Sequence, residues 1–228
     1  MEELVKKPVR KNYAALTDPE GISNLVKGLE YYKGNNITKM ALQFLLLTAQ
    51  RSYTVRAAKW ENIDIENGIW DIPAEDMKMK TPLRLPLSNQ AINLLKEMKQ
   101  YTGDKKYIFY SFYSKSGILS ENTFNLALRR IGFSSDETVA HGLRTSFMSS
   151  MAEMGFPVDV LNLILDHKKR NKIEAAYNRS ERFEDKKMVL RAWADYLDKL
   201  KKSERPSAIK IKLAKSSIES YSIVERVS

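Results

Sequence analysis

The chain has 228 residues, enough for one large domain or two small ones with a real hydrophobic core. Hydrophobic residues make up 43% and charged residues 29%, as in a soluble globular protein, and the formal net charge of +10 indicates a polyanionic partner. A generally basic protein without such a partner is the alternative. There is no cysteine, which excludes disulfides, a thiolate nucleophile and a cysteine metal site.

The sequence predicts neither a signal peptide nor a membrane segment. The longest apolar run, residues 41–49, contains Gln43 and Thr48 and is too short to cross a bilayer. The N-terminus carries charged residues such as Glu2 and Lys6 where a signal peptide would be apolar. We therefore expect a cytoplasmic protein with no membrane partner.

The first sixty residues predict helices. A polar cap at Asp18 and a proline at Pro19 predict a helix over residues 17–33. Residues 37–49 are apolar nearly all round, which predicts a buried helix. Residues 51–60 predict a further helical turn or two.

A change to alternating apolar and polar residues then predicts a small antiparallel sheet. Asn67-Gly68 is a hairpin turn signal between the first two strands. The turn over residues 76–82, before the third strand, carries Lys78 and Lys80. The predicted strands are residues 63–65, 69–72 and 83–85.

The remainder predicts mostly helices. Ser88 predicts the cap of a helix that ends near Tyr101, with Leu95 and Met98 on one face. Further helices are predicted over residues 121–131, 138–154, 157–165, 172–179 and 184–200. The basic tail contains a possible strand at residues 209–213. The chain is therefore predicted to be an α+β protein, mainly helical, with a small three-stranded antiparallel sheet.

Five side chains of three chemical types form a candidate site: Arg51, His141, Arg144, His167 and Tyr177. An arginine fork can hold a phosphate by two parallel hydrogen bonds. Imidazoles can bind the same group, and a phenol can serve as a nucleophile. Together these groups predict chemistry on a DNA backbone without a metal.

Each of these residues also has a purely structural interpretation. His141 and Arg144 share a face of a predicted helix, where such a pair is commonly a cap or a surface contact. Arg51 follows a buried helix and can serve a structural ion pair. Tyr177 has the spacing of a core tyrosine. A His–His metal site is a further alternative, which the lack of cysteine and of close ligand spacing disfavours.

Several longer motifs accompany these residues in a fixed order. They are LLLTAQR at 45–51, AAKW at 57–60, WDIPAEDMKMK at 70–80, LPLS at 85–88, HGLRT at 141–145, LDH at 165–167, AAYNR at 175–179 and AWADYL at 192–197. With them the chain resembles the tyrosine recombinases, also called phage integrases, from about residue 17 to about residue 200. It looks most similar to the integrases of satellite phages and genomic islands.

The resemblance implies a role for each candidate residue that holds the phosphate. Arg51 and Arg144 would clamp the non-bridging oxygens of the scissile phosphate. His141 would bind the phosphate and assist the proton transfers, and His167 would help to orient it. The family's catalytic fold, mainly helical with a small sheet, agrees with the elements predicted above.

The resemblance also implies the groups that exchange bonds and protons. Tyr177 would attack phosphorus and form a 3′-phosphotyrosyl link. Lys78, on the turn between two strands, would protonate the departing 5′-oxygen. Lys80 is the alternative for that role, because the register of the turn is not fixed by the sequence.

Two positions depart from the family pattern. The family usually has a carboxylate three residues after the first arginine, where this chain has Thr54. The loss of that carboxylate could loosen nearby cationic groups and lower activity. The residue before His167 is usually small, and here it is Asp166, which we expect to pair with Lys168 or Lys169.

The resemblance divides the chain into three parts. Residues 17–200 would be the catalytic domain, residues 1–16 a linker or remnant before it, and residues 201–228 a basic tail. Family members carry N-terminal domains that grip DNA, so we expect this chain to be the catalytic fragment of a longer integrase. A naturally truncated remnant is the alternative.

The implied function is site-specific cleavage and joining of DNA strands, without a cofactor, for integration or excision of a mobile element. The partner would be double-stranded DNA at attachment sites. The full-length protein would form a homo-tetramer on DNA at the nucleoid, together with DNA-bending accessory proteins. Two alternatives are a type IB topoisomerase-like enzyme and a DNA-binding regulator without catalysis.

Overall fold

The structure, a computed structural model, describes residues 13–167 and 182–203. In these ranges most residues are helical, and one small sheet lies between the third and fourth helices. The helices are α1 (Pro19–Glu30), α2 (Asn36–Thr48), α3 (Ser52–Arg56), α4 (Asn89–Thr102), α5 (Thr123–Ile131), α6 (Gly142–Glu153), α7 (Val158–Ile164) and α8 (Phe183–Lys202). The strands are β1 (Ile63–Asp64), β2 (Ile69–Ile72) and β3 (Leu83–Pro86).

Local side-chain caps fix the starts of the predicted helices α1 and α4. The Asp18 carboxylate accepts from the Gly21 amide at 2.7 Å at the start of α1. Ser88 accepts from the Ala91 amide at 3.3 Å at the start of α4, as predicted. α2 is buried along most of its length, which confirms the interpretation of its apolar sequence.

The predicted three-stranded antiparallel sheet is confirmed, with the order β1-β2-β3. Trp70 of β2 faces Leu85 of β3, and both side chains are buried. The Trp70 ring also packs on Phe44 of α2, with 5.3 Å between the ring centroids. The sheet is therefore fixed to the buried helix, and its turns project from that contact.

α8 closes the fold by packing against α1, α7 and β3. Trp193 of α8 is fully buried and donates to the Leu46 carbonyl of α2 at 2.8 Å. Ser23 of α1 donates to the Leu200 carbonyl at 3.0 Å. No helix in the described ranges is long and apolar enough to span a membrane.

α6 begins at Gly142, four residues later than the helix predicted over residues 138–154. The Val139 amide donates to the Ala14 carbonyl at 3.2 Å, so residue 139 is held by a distant segment of backbone. A Cβ on Gly142 would lie 1.9 Å from the same carbonyl oxygen, so only glycine permits this approach. The helix predicted over 172–179 and the strand predicted over 209–213 lie outside the described residues.

Candidate functional site

Arg144 lies at the centre of the candidate site and is almost fully buried, at 3% exposure. Its Nη1 donates to the Ala49 carbonyl at 2.7 Å, and its Nη2 donates to the Leu165 carbonyl. Ala49 directly follows α2, and Leu165 directly follows α7. One guanidinium therefore joins two turns that are distant in sequence.

These two turns carry the next two candidate residues. Each contains a residue in the left-handed region, Ala49 at φ 51° and Asp166 at φ 49°, so the chain reverses sharply after each helix. Gln50 strengthens the connection by donating to the Ile164 carbonyl at 2.8 Å. Arg51 and His167, which directly follow, are thereby brought to the same part of the surface.

Arg51 forms an ion pair with Asp166. Its Nη1 lies 3.3 Å from the Asp166 carboxylate, and both side chains are less than a fifth exposed. Sequence reasoning expected Asp166 to pair with Lys168 or Lys169, which lie outside the described residues. The ion pair expected as the structural alternative for Arg51 is thus present, beside the buried Arg144.

The two histidines of this site are held by different elements of the fold. His141 is the residue directly before α6, and its ring packs against Tyr13 with 4.4 Å between the ring centroids. His167 follows α7, and its Nδ1 lies 3.2 Å from the side-chain oxygen of Asn162. Both residues reach the surface, although neighbouring groups shield part of each ring from water.

The site is strongly electropositive. Desolvation lowers the pKa of His167 to about 4, with further lowering by the charges of Arg144 and Arg51. Desolvation also lowers the pKa of His141, and Arg144, Arg51 and Lys78 add to this effect. Burial lowers the pKa of Arg144 to about 9, so its guanidinium is protonated at neutral pH. Such a concentration of positive charge is suited to bind an anion.

The structure distinguishes the two candidate lysines on the turn before β3. Lys78 is exposed, and its charge acts on His141. Lys80 adopts φ 52° and donates from Nζ to the Glu75 carbonyl at 3.2 Å. Lys78 therefore faces the candidate site, whereas the ammonium of Lys80 closes its own turn.

Tyr177 lies outside the described residues. The structure therefore brings together Arg51, Arg144 and both histidines, places Lys78 beside them, and leaves the proposed nucleophile without a described position. No motif in the sequence pointed to the pairing of Asp166 with Arg51, or to the contact of Tyr13 with His141.

The two histidines offer a direct test of this electrostatic environment. An ordinary histidine has a pKa near 6.5, so the folded protein binds fewer protons than the unfolded chain between pH 6.5 and about 4. We expect the His167 ring to titrate near pH 4 by NMR, and stability to fall as pH falls through that window. The chain has only two histidines, so His141→Gln assigns the signals. A His167 midpoint at or above 6.5 contradicts the description.

Comparison with known proteins finds relatives over most of this chain. The model of the phage integrase family matches residues 16–183. An integrase of Enterobacteria phage P4 is 35% identical over 206 residues, which cover 82% of this chain and 46% of the relative. Prophage integrase IntA of Escherichia coli K12 is 33% identical over 190 residues, covering 83% of this chain and 46% of the relative. The chain thus spans about half the length of these curated relatives.

Solved structures show the same fold at lower sequence identity. The integrase of mycobacterium phage Brujita superposes with a TM-score of 0.61 at 16% identity, over 86% of this chain and 67% of that one. A lambda integrase dimer bound to a COC′ core site gives a TM-score of 0.56 at 19% identity, over 72% of this chain and 62% of that one.

Proposed function

The chain belongs to the phage integrase family, and on that premise we propose that it cleaves and rejoins DNA as a site-specific recombinase. The observation that carries the proposal is the convergence of Arg51, His141, Arg144 and His167 around two turns that Arg144 joins. No local pattern requires these four cationic or polar groups to meet. A tetrahedral phosphate with two non-bridging oxygens is the ligand that such a set would hold.

Duplex DNA is the proposed partner, at the attachment sites of a mobile element. The net charge of +10 supports a polyanion, and two similar solved structures are a lambda integrase dimer bound to a COC′ core site and the site-specific recombinase XerH bound to a difH substrate. One neighbour is a lambda integrase tetramer on a Holliday junction, which supports a homo-tetramer for the full-length protein. DNA-bending accessory proteins belong to the same proposal.

Phosphate binding would exchange one anion for another at Arg51. The Asp166 carboxylate lies against this guanidinium, and the scissile phosphate would take its place. Arg144 already donates to two carbonyls, so its charge acts on the phosphate from a fixed position. Preorganised charge of this kind stabilises the additional negative charge on the phosphorane.

The proposed strand transfer needs no external energy source. The Tyr177 oxygen forms a bond to phosphorus, and the bond from phosphorus to the 5′-oxygen breaks. A free phenol has a pKa near 10, so its proton must be taken up during the attack. His141 would accept it, because its lowered pKa leaves the ring neutral at neutral pH. Lys78 gives a proton to the 5′-oxygen. The 3′-phosphotyrosyl ester keeps the energy of the broken bond, so a 5′-hydroxyl can reverse the reaction.

Covalent capture tests the proposal. The chain is incubated with a pool of nicked duplexes of random sequence, in which cleavage next to the nick releases a short strand and prevents religation. We expect a protein–DNA adduct that survives denaturation, and sequencing the trapped DNA would give the preferred site. Binding without an adduct at any sequence would instead favour the non-catalytic regulator.

Lys78→Ala should slow cleavage of ordinary DNA, because an alkoxide is a poor leaving group without a proton donor. The same variant should recover on DNA with sulfur at the bridging 5′ position, since a thiolate leaves without a proton. Adduct formation on the two substrates measures the effect. Lys80→Ala is the matched control on the same turn. Sulfur rescue of Lys80→Ala, but not of Lys78→Ala, would move the role by two residues.

A further inference from the structure

The turn that carries Lys78 is held in place by Lys59, Asp76 and Thr54, which have no role in the proposed chemistry. The preceding turn ends at Asp76, whose carboxylate lies 3.1 Å from Lys59 Nζ, and both side chains are at most 15% exposed. The hydroxyl of Thr54 donates to the Asp76 carbonyl at 3.3 Å. Asp76 is therefore fixed through its side chain and its backbone.

The neighbours of Asp76 extend this support to Lys78. Met77 is 2% exposed and is part of the hydrophobic core. The Lys80 amide donates to the Met77 carbonyl at 3.1 Å, which closes the turn around Lys78. Lys78 is thus an exposed side chain on a backbone that is anchored at the two residues before it.

Two of the residues that support the Lys78 turn lie close in sequence to Arg51, which belongs to the proposed phosphate clamp. Thr54 lies in α3, the short helix that begins directly after Arg51, and is 2% exposed. Lys59 follows the same helix, and its backbone pairs with Tyr107. Residues 51–59 therefore carry Arg51 at their start and also contain Thr54 and Lys59, which support the Lys78 turn.

We propose that Lys59, Asp76 and Thr54 are positioning residues that set the distance between the Lys78 ammonium and the leaving 5′-oxygen. The proposal rests on the function proposed above for Lys78. Thr54 then has a use of its own, although it stands where the family usually has a carboxylate. Its buried hydroxyl binds the backbone of the lysine turn.

The bridging-sulfur substrate separates positioning from a general loss of structure. Asp76→Asn, Lys59→Met and Thr54→Val should each slow cleavage of ordinary DNA about ten- to a hundredfold, the scale expected when a catalytic group is displaced by about 1 Å. On sulfur-substituted DNA each should return to within about threefold of the unaltered protein, because the leaving group then needs no proton. Thr54→Ser, which keeps the hydroxyl, should be close to the unaltered protein on both substrates.

A control substitution lies on the strands that flank the Lys78 turn. Asp71 pairs with Arg84 at 3.6 Å with both side chains 58% exposed, so Asp71→Asn should leave both rates unchanged. Thermal melting shows whether the Lys59 and Asp76 variants fold, and Thr54→Val, which loses one hydrogen bond, keeps the proposal testable if they do not.

Three outcomes would overturn the proposal. If the variants are equally slow on both substrates, the residues act on the fold or on the phosphate clamp. If the variants are not slow on ordinary DNA, the turn does not need them. If Lys78→Ala itself is not rescued by sulfur, the proposed role of Lys78 fails, and the positioning role fails with it. The Lys78 variant therefore identifies which of the two proposals is wrong.

Discussion

Tyr177→Phe should abolish the covalent protein–DNA adduct while DNA affinity stays nearly unchanged. The substitution removes the one oxygen that would bond to phosphorus and leaves the aromatic ring in place. Gel analysis after denaturation measures the adduct, and fluorescence anisotropy measures binding to the same duplex. The loss should be complete, because no other step of the reaction can supply a covalent link.

Tyr196→Phe is the matched control for that substitution. Tyr196 is 5% exposed and its ring packs against Trp193, with 5.8 Å between the ring centroids. Burial raises the pKa of its phenol, so even less of the reactive phenolate is present than for an exposed tyrosine. Adduct formation should persist in Tyr196→Phe. An adduct in Tyr177→Phe would show that another tyrosine is the nucleophile and that the motif at residues 175–179 was misassigned.

Arg144→Ala should slow cleavage by about a hundredfold or more, the usual effect of removing one group that stabilises a transition state. It should also destabilise the fold, because the buried carbonyls of Ala49 and Leu165 lose their donor. An unsatisfied buried polar group costs about 1–3 kcal/mol. Single-turnover cleavage and denaturant unfolding measure the two effects separately.

Arg51→Ala provides the comparison, since it removes the same chemical group from a different environment. Its side chain is 19% exposed and pairs with Asp166, whereas Arg144 is 3% exposed and donates to two buried carbonyls. We expect a similar loss of cleavage with a smaller loss of stability than in Arg144→Ala. Full cleavage activity in either variant would exclude that arginine from the phosphate clamp. A stable Arg144→Ala protein would contradict its role in joining the two turns.

Much of the fold follows from local sequence. Asp18 and Ser88 cap their helices with their own side chains, and Asn67-Gly68 forms the hairpin turn between two alternating strands. These interactions join residues a few positions apart, so their signals are present in short windows of sequence. The burial of α2 also follows from its sequence, because most of its residues are apolar, and most of the helix is buried.

The candidate residues of the site could also be chosen from the sequence, but their arrangement could not. The order of motifs selected Arg51, His141, Arg144 and His167. It gave no indication that Arg144 is buried between two carbonyls, or that Asp166 lies against Arg51. The start of α6 was predicted four residues early for the same reason: Ala14, far away in the chain, holds Val139 out of the helix.

By itself, then, the sequence determined most of the helices that the structure describes, the sheet, the excess of positive charge and the identity of the phosphate-binding candidates. The tertiary structure decided which partners those candidates have: Asp166 for Arg51, the ends of α2 and α7 for Arg144, and the Lys78 turn for Thr54. The physical reason is the range of the interactions. Caps and periodic burial act between near neighbours, whereas each of these partners comes from a different element, and only the packing of those elements brings them within hydrogen-bonding distance.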